Sequence, residues 1–541
     1  MISTPTRYAG RREILGLAAG AVAVLVTPRR GFGGTLRRGG VLKHIGLEPG
    51  SFDIQATASP QTQLISSFVR RTLFKFVNGF GYGPSDFRLV PDLALAAEAS
   101  RDGRIYTISL RRGVRWEQKP PVSGRALTAA DVKYSLERAL QRPPSAGTLG
   151  PVEGIETAGA HTVRVHLREA FAPFRHNLAE PCNAILPPEV EDKLGDFKSA
   201  QSLIGCGPFV LERYEPGVKA IFARNPSYYR RGLPYLDRVE WIFLKDRTTQ
   251  LALFRAGEVD VPSHDATIPR SDTVSFKRSN PDYPLVYWEG LATRTLAMRT
   301  DRPPFNDVRV RRALSMSVDR HAWRSRDPDG QGFADPGPVP APLKEWTLPT
   351  TELGEGAKYL EHDPARARRL LADAGFPNGL KVKCTHSQGQ GPEYGDDLGL
   401  LAAHLKAVGV ELQIVNEEHG SYVRGSLLGK FDETSWGPSP LLTEVDGHLY
   451  GFYRSGQPSN RSHVADPTLD VMLDAQRRAT STASRRKVIR DIQRHASAQV
   501  YYIYTPYPRN ASSWTPWVKN YGPKNSFDRG AQLEVVWLDR A

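Results

Sequence analysis

Hydrophobic and polar positions alternate along this chain in two periods. In Arg104 to Leu110, Tyr106, Ile108 and Leu110 fall on one face, which predicts a half-buried strand. Thr162 to Leu167 repeats the pattern with Val163, Val165 and Leu167. Between them Thr128 stands three residues before Asp131, ahead of Val132, Leu136 and Leu140. That is a capping-box-like start to an amphipathic helix. Phe209 to Phe222 predicts two strands joined at Glu215-Pro216-Gly217, followed by a strand over Val239 to Leu244 and a helix over Thr248 to Ala256.

Asp363-Pro364 and Asp466-Pro467 each place a capping Asp before a Pro at the first helical position. Leu398, Leu401, Leu405 and Val408 line the inner side of another helix, and Ser484 to Ala498 forms one more. Val500 to Thr505, aromatic and β-branched, predicts a strand. Asp327 to Pro342 and Gly389 to Gly395 are rich in Pro and Gly and predict loops. Strands and helices mix without a repeat, which favours α/β lobes over a bundle or a sandwich. With 541 residues the chain is long enough for two or three of them.

The first 34 residues differ from the rest. Arg11-Arg12 precedes an apolar run from Ile14 to Thr27, and Arg29-Arg30 follows it. The run falls short of the roughly 20 residues that span a bilayer, and it has the plan of a secretory signal. Gly10-Arg11-Arg12-Glu13-Ile14-Leu15 resembles a twin-arginine signal. No Cys follows the run, so the expected product carries no lipid there and works in the periplasm or outside the cell.

The formal charge is +14, from 72 Lys+Arg against 58 Asp+Glu. Its basic residues come in pairs and triplets such as Arg485-Arg486-Lys487, with acids between them. A solvated basic surface accounts for this, with a field that draws anionic ligands as the sharper alternative. Nothing in the pattern points to nucleic acid. Of the three cysteines, Cys182 and Cys206 are candidates for a disulfide in an oxidising compartment, a pairing that sequence alone leaves open.

Enzyme signatures are missing: no G-x-S-x-G, no H-E-x-x-H and no P-loop. His161 and His166 project to opposite faces of a strand, and Glu417-Glu418-His419 is expected to be a solvated turn. Asp396-Asp397 is expected to precede a helix, where carboxylates meet the helix dipole favourably. No catalytic residue, cofactor or metal site is expected.

Five blocks, met in order, carry a family resemblance. The first runs from Pro91-Asp92-Leu93 to Trp116 and on through Leu127-Thr128 to Ala139. The second holds Gly205-Cys206-Gly207-Pro208-Phe209, Arg224-Asn225-Pro226, Leu233-Pro234-Tyr235-Leu236-Asp237 and Ala256 to Asp260. Pro303-Pro304-Phe305 with Asp307 to Arg311 and Asp319-Arg320 make the third. Asp363-Pro364 with Ala374 to Gly379 make the fourth, and Leu405 to Val410 with Phe431-Asp432 and Trp436-Gly437 the fifth. Together, from Gly39 to Arg509, they resemble the family 5 extracellular solute-binding proteins, the peptide, dipeptide and nickel binders of ABC importers.

The resemblance implies an α/β fold of two lobes in the manner of periplasmic binding proteins (type II), with an extra subdomain on the first. Carried over, lobe one spans residues 35–60, 189–280 and 505–541, the extra subdomain 61–188 and lobe two 281–504. The crossings fall near Tyr283 to Glu289 and Tyr504 to Arg509. It implies a monomer that closes on a peptide or other small molecule and delivers it to the membrane subunits of an ABC importer. The ligand-facing loop would be Trp436 with Ser435, Gly437 and Pro438. Tyr422, Trp288 and Glu289, and Ser59, Pro60 and Gln61 of the opening loop, are further candidates.

Peptide-binding members usually carry an Asp shortly after the Trp-Gly pair, which meets the peptide's amino group. No Asp stands there in this chain, and Glu444 and Asp446 are the nearest substitutes. Arg299 replaces a common Asn, leaving a carboxylate or phosphate contact and a surface role both open. Opines, metal chelates and oligosaccharides fit the same scaffold. A ligand-sensing partner of a membrane receptor and a secreted enzyme on the same fold are the alternative functions.

Overall fold

The computed structural model describes residues 35–57, 59–79, 81–143, 145–265, 267–326, 332–334 and 336–540. The signal-like segment lies outside the described residues, as do 327–331 of the expected Asp327–Pro342 loop.

Three sheets organise the body. The first orders its strands Val41–Gly46, Arg238–Phe243, Lys219–Arg224, Phe209–Glu215. Its first pair is parallel, with Leu42 beside Val239, and the others are antiparallel. Leu42, Val239 and Trp241 meet Phe68 and Leu538 in its core. The second sheet is antiparallel, in the order Ala94–Ala99, Ile105–Leu110, Thr162–Leu167, Val152–Thr157. Its buried face carries the alternating Tyr106, Ile108 and Leu110 opposite Val163 and Val165. Helix Ala129–Leu140 packs nearby, and its start is held by the Thr128 N–H donating to Asp131 Oδ2 at 2.8 Å.

The third sheet is mixed, in the order Val410–Asn416, Leu380–His386, Thr434–Pro438, Arg294–Met298, Tyr502–Thr505. Its strands Arg294–Met298 and Thr434–Pro438 are buried along nearly their whole length, as in a sheet covered on both faces, whereas Leu380–His386 alternates, with Lys381 and Lys383 exposed. Leu296, Met298, Trp436 and Ile503 enter one core, and Ala297, Tyr502 and Tyr504 the other.

The third sheet is built from residues 294–505 and the first two from residues 41–243; we take these as the second and the first lobe. Strand Leu285–Trp288 precedes the third sheet along the chain and strand Asn510–Ser513 follows it, so these are taken as the crossing segments. These two strands pair antiparallel, with Trp288 beside Asn510. The crossings therefore hydrogen-bond to each other at the junction of the lobes.

Two local features explain recognisable sequence. A Cβ on Gly205 would lie 2.0 Å from the Val69 carbonyl oxygen, and one on Gly207 2.6 Å from that of Phe68, so the Gly-Cys-Gly stretch allows close backbone approach. Arg71, buried, joins the second sheet's region to the C-terminal segment. Its Nε donates to Asp92 at 2.8 Å and its Nη1 to Asp528 at 2.7 Å.

Some expected boundaries shift. Val500 adopts φ 50° as the left-handed end of helix Thr482–Gln499, so the strand starts at Tyr502. Asp396 and Asp397 lie inside helix Pro392–Lys406, not before it, and the helix starts within the expected Gly389–Gly395 loop. Asp397 is buried there and pairs with Arg294 and Arg326, so an internal ion pair, not the helix dipole, accounts for it. The expected turn at Glu417-Glu418-His419 is a helix start: Glu418 accepts from the Gly420 and Ser421 N–H groups at 2.7 and 2.8 Å.

Candidate ligand cleft

The lobes meet in several places, among them a group of contacts between residues 169–180 and 443–478. The Ala172 N–H donates to the Arg477 carbonyl at 2.7 Å, and Arg478 pairs with Glu169 at 2.5 Å. The Arg477 guanidinium lies 5.0 Å from the Phe171 ring of the first lobe and 3.4 Å from the Tyr450 ring of its own lobe. Thr443 Oγ1 lies 2.8 Å from His176 Nε2 and donates to Glu180.

Beside these contacts opens a cavity of about 970 Å³, within the usual size of a ligand pocket. Residues 83–89, 99–101, 170–172, 175 and 176 belong to its first-lobe wall; 342–346, 443–444, 479–482 and 485 form the wall opposite. Tyr287, Trp288, Glu289 and Arg509 of the crossings line it as well. A solute held here touches both lobes and the hinge segments, which is the geometry that couples binding to closure.

The lining combines aromatic surface with charge. Trp288 donates its indole N–H to Ser512 Oγ at 2.8 Å, which fixes the ring. Arg485 stacks 4.9 Å from the Trp346 ring and donates to Glu444 at 2.7 Å. Burial pushes the Glu444 carboxyl up, but Arg485, His176 and the Asp446 N–H together hold the group below the usual carboxylate range. Glu289 accepts from Arg509 at 3.0 Å.

The residues singled out from sequence fall into three groups. Trp288 and Glu289 line the cavity. Trp436, Ser435, Gly437, Pro438 and Tyr422 gather inside the second lobe. Trp436 is fully buried, its indole N–H donating to the Tyr394 carbonyl at 2.9 Å. The Tyr422 hydroxyl donates to the Trp436 carbonyl at 2.8 Å and leaves no room for a Cβ at Gly437. Ser59 and Gln61 sit at the start of helix Pro60–Ser66, where Ser59 Oγ donates to Gln61 Oε1 at 2.9 Å. Neither of the last two groups lines the cavity.

The candidate substitutes for the missing Asp are occupied. Glu444 is held by Arg485, and Asp446 accepts from Arg477 at 2.7 and 2.9 Å and from Gln476. Ser439 exchanges two 2.9 Å bonds with the Thr293 backbone. Arg299 is bidentate to Asp301 and donates to the Phe431 carbonyl at 3.0 Å, away from the cavity. Cys182, Cys206 and Cys384 are all free and buried. Among the described residues no cluster of three or more metal-ligating side chains occurs, and no helix is long and apolar enough to cross a membrane.

Sequence reasoning missed Arg101, Arg175, Lys344, Trp346 and Arg485. They reach the cavity from distant segments, and none stands in a local motif. Thr443 and Glu444 carried a weak signal, since they follow the Trp-Gly pair by a few residues.

The profile of the bacterial extracellular solute-binding proteins, family 5, matches residues 88–460. Di/tripeptide-binding protein 2 of Pseudomonas aeruginosa (strain UCBPP-PA14) is 27% identical over 459 residues, covering 79% of this chain and 82% of that one. Among solved structures, the periplasmic binding protein DppA of Helicobacter pylori in complex with the peptide STSA superposes with a TM-score of 0.76 at 23% identity, covering 93% of this chain and 99% of that one. AgaA of A. tumefacien R10, in complex with agropinic acid, gives 0.75 at 24% identity with coverages of 93% and 99%. These structures share the two-lobed fold. With more than half its length matched by the profile, this chain belongs to the family 5 bacterial extracellular solute-binding proteins.

Proposed function

We propose that the protein captures a small, peptide-like or other polar solute between its two lobes and delivers it to an ABC importer. The observation that carries this reading is the cavity of about 970 Å³ whose walls come from both lobes and whose remaining lining is the crossing segments. A ligand favours the closed form only through contacts made to both walls. Closure removes water from those contacts and strengthens them. Relatives named for di- and tripeptides support a peptide-like ligand. Trp288 and Glu289 are proposed to contact it, and the Trp436 cluster to brace strand Thr434–Pro438 from within.

The reading is of a monomeric binder without catalysis, exported by the twin-arginine-like segment around Arg11-Arg12. Thermal-shift screening of the purified protein against short peptides, opines and oligosaccharides tests the binding step. A true ligand raises Tm in proportion to RT ln(1 + [L]/Kd). A rise with any of these solutes, together with small-angle scattering showing compaction, is the expected result. No rise across the panel overturns the reading. Double substitution Arg11→Lys with Arg12→Lys should hold the protein in the cytoplasmic fraction.

A further inference from the structure

The acids that line the cavity are all already paired with arginines of the protein. Asp86 pairs with Arg88 at 2.7 Å, Glu289 with Arg509 at 3.0 Å, Glu345 with Arg486 at 2.9 Å and Glu444 with Arg485 at 2.7 Å. Three lining cations have no such partner among the described residues: Arg101 and Arg175 on the first-lobe wall, and Lys344 on the second. Arg175, exposed to solvent like the other two, lies over the Phe74 ring, 5.7 Å away, and pairs with no carboxylate among the described residues. Arg485, also lining the cavity and nearly fully buried, spends Nη1 on Glu444 and Nε on Gln476, while its Nη2 has no hydrogen-bond partner.

Like charges on facing walls oppose closure, and an anion between them reverses the sign of that interaction. A cationic group finds the reverse. The four carboxylates of the cavity are engaged, and the stretch Pro438-Ser439-Pro440 that follows Trp436-Gly437 brings no further acid. An amine there would share a carboxylate with an arginine that already offsets its charge, so it gains less than it would beside an unpaired acid.

We infer that the cavity selects an anionic solute, one carrying two or more carboxylates, and that no free amine is needed for its capture. This rests on the solute-binding reading above and narrows the class of ligand. The arginines supply forked donors that match carboxylate geometry, and Lys344 adds a point charge from the opposite wall.

Isothermal titration calorimetry of the purified protein tests this with three probes: N-acetyl-Asp-Glu, Ala-Ala and N-acetyl-Lys-Lys-amide. The acidic probe should bind about tenfold or more tighter than Ala-Ala, and its affinity should fall as ionic strength rises. Lys344→Gln and Arg175→Gln should each weaken it by roughly threefold, and Lys344→Glu by about tenfold, while Ala-Ala is unaffected. Arg213→Gln, on the strand Phe209–Glu215 away from the cavity, serves as the control and should change nothing. Tighter binding of Ala-Ala or of the dilysine probe overturns the inference and leaves solute capture standing. An acidic probe that binds with no response to Lys344 or Arg175 also overturns it. Binding of none of the three, with the wider panel equally silent, overturns both.

Discussion

Thr443 of the second lobe sits against His176 of the first, with Oγ1 2.8 Å from Nε2, and its hydroxyl donates to Glu180 of the same first-lobe segment. One hydroxyl thus meets two titratable groups across the mouth of the cavity that it also lines. The contact exists only while the lobes are together.

Replacing Thr443 by Val removes that hydroxyl at constant shape and leaves His176 and Glu180 without their partner. An unsatisfied buried polar group costs about 1–3 kcal/mol, and the cost falls on the closed form alone. Ligand affinity should therefore drop by roughly tenfold, with the stability of the separate lobes little changed. Titration calorimetry and small-angle scattering of Thr443→Val check this, and Thr443→Ser should restore most of the affinity. Equal affinity in the Val variant would show that the contact does not support closure.

Much of the fold was legible because its signals are local. Asp363 caps its helix through the Arg366 N–H at 2.8 Å, and Asp466 caps another through the Thr468 N–H at 2.9 Å, as an Asp-Pro start requires. The alternation of Tyr106, Ile108 and Leu110 reports a sheet with one buried face, a property of the strand itself. Asp397 was not legible, since its partners Arg294 and Arg326 lie far away in sequence. Val500 looks β-prone in isolation, but the preceding helix ends on it, and its N–H bonds back to Ala496. The cavity was the least legible part. Lys344, Arg485 and Arg175 come together through tertiary structure, and no spacing in the sequence announces it.

Trp436 offers a test of how its strand is held. Its ring is fully buried beside Leu296 and Ile503, and the indole N–H is used by Tyr394. Truncating a core aromatic costs about 3–5 kcal/mol through lost burial and the cavity left behind. Trp436→Ala should lower stability by about that much in urea titrations. Trp436→Phe should cost less and leave ligand affinity within about twofold, because the replaced atoms lie inside the lobe. A large loss of affinity in the Phe variant with stability retained would place the indole in contact with the ligand.

The cysteines give a chemical prediction. Burial pushes the Cys182 and Cys384 thiols up to about 12, and Cys206 higher still. All three are free, so at neutral pH they are protonated and enclosed. The native protein should react with a thiol reagent only at the rate of its unfolding, and the denatured protein should release all three equivalents without reductant. One equivalent from the denatured, unreduced protein would instead indicate a Cys182–Cys206 disulfide.

His176 and Glu180 make closure depend on pH in opposite senses. Burial pushes the Glu180 carboxyl up to about 7 from 4.5, with Glu444 and Asp528 adding repulsion against the Thr443 hydrogen bond. Burial brings the His176 imidazole down to about 4 from 6.5, with Glu444 acting upward and Arg485 downward. If opening returns both groups to water, the closed form holds an extra proton on Glu180 between about 4.5 and 7. Affinity controlled by Glu180 therefore falls as pH rises through that window. The closed form lacks a proton on His176 between about 4 and 6.5, so affinity controlled by His176 rises with pH there. The two slopes cancel over most of the shared range, and the wild-type protein should bind its ligand almost independently of pH from about 4.5 to 6.5. Each variant should uncover the other group: Glu180→Gln should bind more tightly as pH rises toward 6.5, and His176→Gln more weakly as pH rises toward 7. Calorimetry in buffers of different ionisation enthalpy should show proton release on binding for Glu180→Gln and uptake for His176→Gln. Matching slopes in the two variants would mean that neither group changes its surroundings when the lobes close.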